Sequence, residues 1–174
     1  MRGTGYMLAV VVALTATITY LNFARAQADA TAAPTFDIIN MPAGYRDWKL
    51  ISVAHEEGSL NDLRAVLGND LAIKAYRDGR LPFPDGAIIA RLAWKYVPSE
   101  ENNKVFGHEQ SFVAGDATNV QFMVKDSKKY AATGGWGFAQ FNDGKPVDAP
   151  ALSGCFACHV PVIARDFIFT KYAR

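Results

Sequence analysis

The chain has 174 residues, half of them hydrophobic, and a formal net charge of +1. A charge this close to zero removes the electrostatic case for nucleic acid or an anionic membrane surface as a partner. Met1 to Tyr20 reads as a secretory signal: Arg2 gives the positive start, Met7 to Tyr20 is mostly apolar, and small residues follow at Ala24-Arg25-Ala26 and Ala26-Gln27-Ala28. The apolar run is only 14 residues long and is interrupted by Thr15, Thr17 and Thr19, short of the roughly 20 that span a bilayer. Cleavage after Ala26 or Ala28 is therefore expected, with no membrane anchor left. Loss of residues 1–26 removes Arg2 and Arg25 and no acid, which takes Lys plus Arg from 18 to 16 against 17 acids, a net charge of −1. What remains suits one domain around a single core. Residues 27–40 form a lead-in, flexible at its Ala-rich start, and the folded domain is expected over 41–174.

Pro42 to Arg46 predicts a turn or short helical piece feeding a strand, Trp48 to Ala54, with a weaker strand over Asn61 to Leu67. Asn69 looks like the cap of a short helix over Asp70 to Arg77, stopped by Gly79. Pro82, Pro84 and Asp85-Gly86 then form a turn into a long strand, Ala87 to Val97. On that strand Ile88, Ala90, Leu92, Trp94 and Tyr96 share one face, and Ala87, Ile89, Arg91, Ala93 and Lys95 the other. Residues 98–118 are polar and rich in Asn, Glu and Gly, which reads as a long loop. Further strands are expected over Val120 to Lys125 and Gly135 to Phe141, and a helix from about Pro150 toward Arg165. The fold class is α+β, mainly β: an antiparallel sheet with a short helix and a C-terminal helix.

That last helix carries Cys155-Phe156-Ala157-Cys158-His159. Two thiols at this spacing add across the two vinyl groups of one porphyrin, and the following imidazole ligates its iron, which is the attachment sequence of a c-type haem. Both cysteines of the chain lie inside it. The same pair suits a redox disulfide or half of a zinc site, but the other histidines, His55 and His108, are far away in sequence. One covalent haem c with His159 on the iron is the reading adopted. Haem is joined to such thiols outside the cytoplasmic membrane, so the motif and the signal sequence together point to the periplasm. A small helical electron carrier would place its motif near the N-terminus and a Met ligand after it; here 15 residues follow His159 and none is Met.

The chain resembles the cytochrome P-460 family, which includes cytochrome c′-beta. The resemblance runs from about Tyr45 to Tyr172 and rests on Tyr45-Arg46-Asp47-Trp48, the Asp85-Gly86 turn, Met123-Val124-Lys125-Asp126-Ser127-Lys128, Gly134-Gly135-Trp136-Gly137-Phe138, the haem pentapeptide, and Asp166-Phe167-Ile168-Phe169-Thr170-Lys171-Tyr172. It implies a β-rich fold, commonly a homodimer, with one haem held by both thioethers and by His159, the far side of the iron being open or capped. Members named for the family oxidise hydroxylamine and carry a lysine bonded to the porphyrin; c′-beta members lack that bond and bind nitric oxide.

At the position of that lysine the resemblance sets Arg91, and a guanidinium stays protonated where the bond needs a nucleophilic amine. Lys95, four residues on and of the same strand parity, is the alternative amine. His55 with Glu56 and Glu57, and His108 with Glu109, are candidate proton carriers, each weighed against an ordinary surface role. Phe83, Phe106, Phe112, Phe122 and Phe138 are candidate apolar caps. Trp136, set between glycines that permit close approach, is a candidate for contact with the haem or for plain core packing. Three functions follow: capture of nitric oxide, oxidation of hydroxylamine by a haem oxidoreductase, or electron transfer through a six-coordinate haem to a redox partner protein.

Overall fold

The computed structural model describes residue 38 and residues 40–173. The signal sequence expected over 1–26 and most of the lead-in expected over 27–40 lie outside the described residues. Six strands follow one another in chain order and in space: β1 (Lys49–Glu56), β2 (Asp62–Gly68), β3 (Ile88–Pro98), β4 (Phe112–Lys125), β5 (Trp136–Asn142) and the two-residue β6 (Lys145–Pro146). Every pairing is antiparallel. Three helices punctuate this meander: α1 (Asp70–Asp78) between β2 and β3, α2 (Glu100–Phe106) between β3 and β4, and α3 (Ala149–His159) after β6. The expected mainly-β α+β fold is the one observed.

Local chemistry accounts for most boundaries. Asn69 caps α1, its Oδ1 accepting from Ala72 N–H, and Gly79 closes the helix in the left-handed region at φ 62°. The same Oδ1 also accepts from Ile88 N–H while Nδ2 donates to the Gly86 carbonyl, so one side chain ties the helix start to the start of β3. The span 98–118, expected to be a loop, instead contains α2 and the first half of β4. Ser99 caps α2 and Gly107 ends it, but no residue of α2 is buried, so it has no apolar stripe to announce it. The first half of β4 pairs only with β3 and is largely exposed, which leaves Gly, Asp and Thr free to occupy it. The C-terminal helix stops at His159 and continues as a 3-10 segment, Val160–Arg165. Pro161 explains the change, since it has no N–H and its ring clashes with the preceding turn.

Register sorts the sheet into two faces. One carries Leu67, Ala90, Leu92, Phe122, Ala139 and Phe141, packed under Ile38, Met41, Tyr45 and Trp48 from the N-terminal side of the domain. The other is graded along the strands. Its first row joins Ala87, Lys125 and Trp136; the next joins Ile89, Met123 and Phe138; then come Val66, Arg91, Gln121 and Gln140; then Arg64, Ala93 and Asn119. The apolar rows are covered by α1 and by Phe156, Phe167 and Ile168 of the C-terminal segment. The chain end returns to the first strand, where Ala173 N–H donates to the Ile51 carbonyl at 2.9 Å.

Candidate haem-binding site

Cys155, Cys158 and His159 lie on the last turn of α3, which packs on β5. Phe156 anchors that turn: it is buried against Phe138 and Phe167, and this fixes the face on which its neighbours stand. Both cysteines are free thiols, Cys155 half-buried and Cys158 exposed. Burial pushes the Cys155 thiol above its ordinary pKa, the neighbouring Cys158 adds to this, and Arg91 opposes it.

The His159 ring sits between Phe138 and Phe169, with centroids 5.2 and 5.1 Å away. Its Nδ1 lies 2.6 Å from the Phe167 carbonyl. A carbonyl only accepts, so Nδ1 carries the hydrogen and Nε2 keeps its lone pair. Burial draws the imidazole pKa down and the Phe167 hydrogen bond partly restores it; both the neutral ring and the engaged Nδ1 suit a metal-ligating histidine.

Arg91 stands on the graded face at the change from apolar to polar rows. One nitrogen of its guanidinium donates to Asn119 Oδ1, while Nε is buried with no protein partner. Burial, with Arg64 nearby, lowers its pKa to about 10, which leaves it charged at neutral pH, and its charge is felt at the Cys155 thiol. Around it the face is polar: Gln121 donates to Gln140 at 2.6 Å, and Arg64 pairs with Asp62 at 2.7 Å and Glu56 at 3.2 Å. Asp62, Arg64, Asn119, Gln121 and Gln140 were not singled out in the sequence. Strand parity, counted from Arg91 across the hairpins, is the signal that finds them.

The other expected site residues are spread out. Lys95 shares the Arg91 face, is mostly exposed and pairs with Asp116 at 2.9 Å. His55 pairs across the strands with Leu63, which puts it on the opposite face; it stacks on Tyr96 and meets Asn61. Glu57, His108 and Glu109 are exposed. Among the candidate caps, Phe138 neighbours His159, Phe83 packs on Tyr76 and Trp136, Phe112 stacks on Tyr96, Phe122 lies in the opposite core and Phe106 is half exposed. Trp136 is fully buried in the cluster that includes Phe156 and Phe167, with the Lys125 ammonium 4.9 Å from its ring centre. Two glycines near it, Gly134 and Gly137, make room for protein side chains. A Cβ at Gly134 would lie 2.1 Å from the Phe167 ring, and one at Gly137 would lie 2.4 Å from the Tyr130 ring.

The family model for Cytochrome P460 matches residues 42–170. The chain belongs to the cytochrome P460 family. This is a family of haem c proteins with hydroxylamine-oxidising members, so the chain is a haem-binding cytochrome. No curated protein matches the sequence. The donor set fits the group that a cytochrome P460 requires: two free thiols on one helical turn, an adjacent imidazole with Nε2 available, and a buried guanidinium nitrogen awaiting an acceptor. Cys155 and Cys158 would hold the porphyrin and His159 the iron, which would supply a redox-active, ligand-binding centre. Among the described residues no helix is long and apolar enough to cross a membrane.

Proposed function

We propose that the protein is an exported mono-haem cytochrome that binds nitric oxide. One haem would be fixed by thioethers to Cys155 and Cys158 and ligated by His159 Nε2. The reading rests on Arg91. It occupies the buried graded face within electrostatic reach of Cys155, where the lysine-bonded members of the family present an amine. A guanidinium that stays charged does not attack a porphyrin edge, and without that bond the haem matches the nitric oxide-binding branch. Lys95 offers little help to the hydroxylamine-oxidising alternative, since it is exposed and held by Asp116. The six-coordinate electron carrier lacks support from His55, which stacks on Tyr96 on the far face of the sheet.

The test is a purified holoprotein made in a host with a c-type maturation system. Intact mass should show one haem added, and peptide mapping should place it on Cys155 and Cys158 alone. The ferrous form should be five-coordinate and should bind nitric oxide, with no steady oxidation of hydroxylamine in the presence of an electron acceptor. A haem-bearing Lys95 peptide, or a low-spin spectrum indifferent to nitric oxide, refutes the reading.

The family habit of pairing fits a second feature. Val53 is a large apolar residue 66 % exposed on β1, and it lines a shallow apolar hollow with Leu63, Trp94 and Ala114. We infer that this end of the sheet is where a second copy docks.

A further inference from the structure

Lys125 and Asp166 are both buried, with side chains 5 % and 8 % exposed. Their separation of 2.7 and 2.9 Å to the two carboxylate oxygens is that of a double hydrogen bond. Each is also held elsewhere. Lys125 donates to the Gly134 carbonyl at 3.0 Å and lies over the Trp136 ring, and Asp166 accepts from Phe83 N–H at 2.8 Å. A buried pair of this kind is a poor source of stability, because apolar residues of the same volume would serve as well. Its position suggests another use. Asp166 and Phe167 are consecutive residues in the left-handed region, at φ 53° and 64°, a conformation that a bulky residue such as Phe adopts only when its surroundings force it. The carbonyl of Phe167 is the one that accepts from His159 Nδ1.

We propose that the Lys125–Asp166 pair positions the proximal imidazole: it clamps the left-handed Asp166–Phe167 turn and so keeps the Phe167 carbonyl aimed at His159 Nδ1. The inference rests on the reading of His159 as iron ligand. Strand β4 supplies the ammonium, the segment after α3 supplies the carboxylate, and Gly134 admits the Phe167 ring that no side chain there would allow. An acceptor on Nδ1 draws the hydrogen away from the ring and enriches Nε2. The clamp would therefore set how strongly the imidazole donates to a bound iron, and stronger donation favours the ferric state. Lys125 and Asp166 touch neither haem nor ligand in this scheme; they act through Phe167.

The test compares wild-type holoprotein with Lys125→Met, Asp166→Asn and Lys125→Arg. A wild-type protein without haem mass would remove the underlying reading and not the clamp. With haem attached throughout, the ferrous iron–histidine stretching band should fall in frequency in Lys125→Met and Asp166→Asn. Their midpoint potentials should both rise, with a tenfold change in the ferric to ferrous ratio, equivalent to about 59 mV for one electron. Lys125→Arg should restore both readouts at least half-way. A direct field effect would move the two potentials in opposite directions, because one variant loses a cation and the other an anion. Opposite shifts, or a lower melting temperature with unchanged band and potential, overturn the proposal. Wild type supplies a check that needs no variant. The Asp166 and Phe167 amides, bonded to Ile163 and Val162 carbonyls, should exchange hydrogen as slowly as those of β5, and rapid exchange there overturns the clamp as well.

Discussion

Arg91 shows how much one residue type decides. Its side chain is charged and half-buried, and its Nε has no protein acceptor, an arrangement that costs free energy unless a further group completes it. If haem is seated against this face as proposed, Arg91→Gln would remove a cation beside it and should lower the midpoint potential, by on the order of 1 kcal/mol, measured by spectroelectrochemical titration. Tyr76 is a second residue with a readable consequence. Its hydroxyl donates to the Thr170 carbonyl at 3.2 Å, and burial raises its pKa well above the ordinary phenol. At neutral pH the phenol is protonated in both folded and unfolded chains, so its titration does not affect stability. Above about pH 10 the unfolded chain ionises first, so stability falls as pH rises. Thermal melts between pH 8 and 11 should show Tyr76→Phe losing about 1 kcal/mol at pH 8 through the missing hydrogen bond, yet declining less steeply than wild type at the alkaline end.

At the scale of elements, joints matter more than spans. Asn69 serves α1 and β3 at once through three hydrogen bonds. Asn69→Ala should cost about 2 kcal/mol, at the upper end for a helix cap, whereas Asn69→Asp keeps the two acceptor bonds and should recover most of it in urea unfolding. Gly134 joins β4 to β5 through a left-handed turn at φ 66° against the Phe167 ring. Gly134→Ala meets both the strained backbone and the clash, and a loss of about 3 kcal/mol or more in the same assay is expected. Such joints also mark what the sequence made legible. The Asn69 cap, the Gly79 stop and the alternation on β3 each have a local cause and could be read directly. α2 and the start of β4 could not, because neither buries an apolar face of its own. The haem thiols and His159 were visible as a motif. The Lys125–Asp166 pair was not, since 41 residues separate its members and only the return of the C-terminal segment to the end of β4 unites them. For Trp136 the flanking glycines left haem contact and core packing equally open, and the Tyr130 ring occupies the space beside Gly137.

On the scale of the whole molecule the proposed docking of a second copy has a simple test. Val53 is 66 % exposed on β1, so Val53→Lys should leave the fold intact, shift the sedimentation coefficient from dimer to monomer and leave the nitric oxide spectrum unchanged. Unaltered sedimentation would place the contact elsewhere. The meander itself bears on how the protein is built. Strands that neighbour one another in sequence pair in space, and the low contact order of such a meander favours rapid folding. The bond from Ala173 to Ile51 runs against that trend. It ties the segment after α3 back to β1, across a span that contains both thiols. If haem is fixed to Cys155 and Cys158 as proposed, the stretch that bears it is held at two anchors on the sheet, β5 beneath Phe156 and β1 at Ile51.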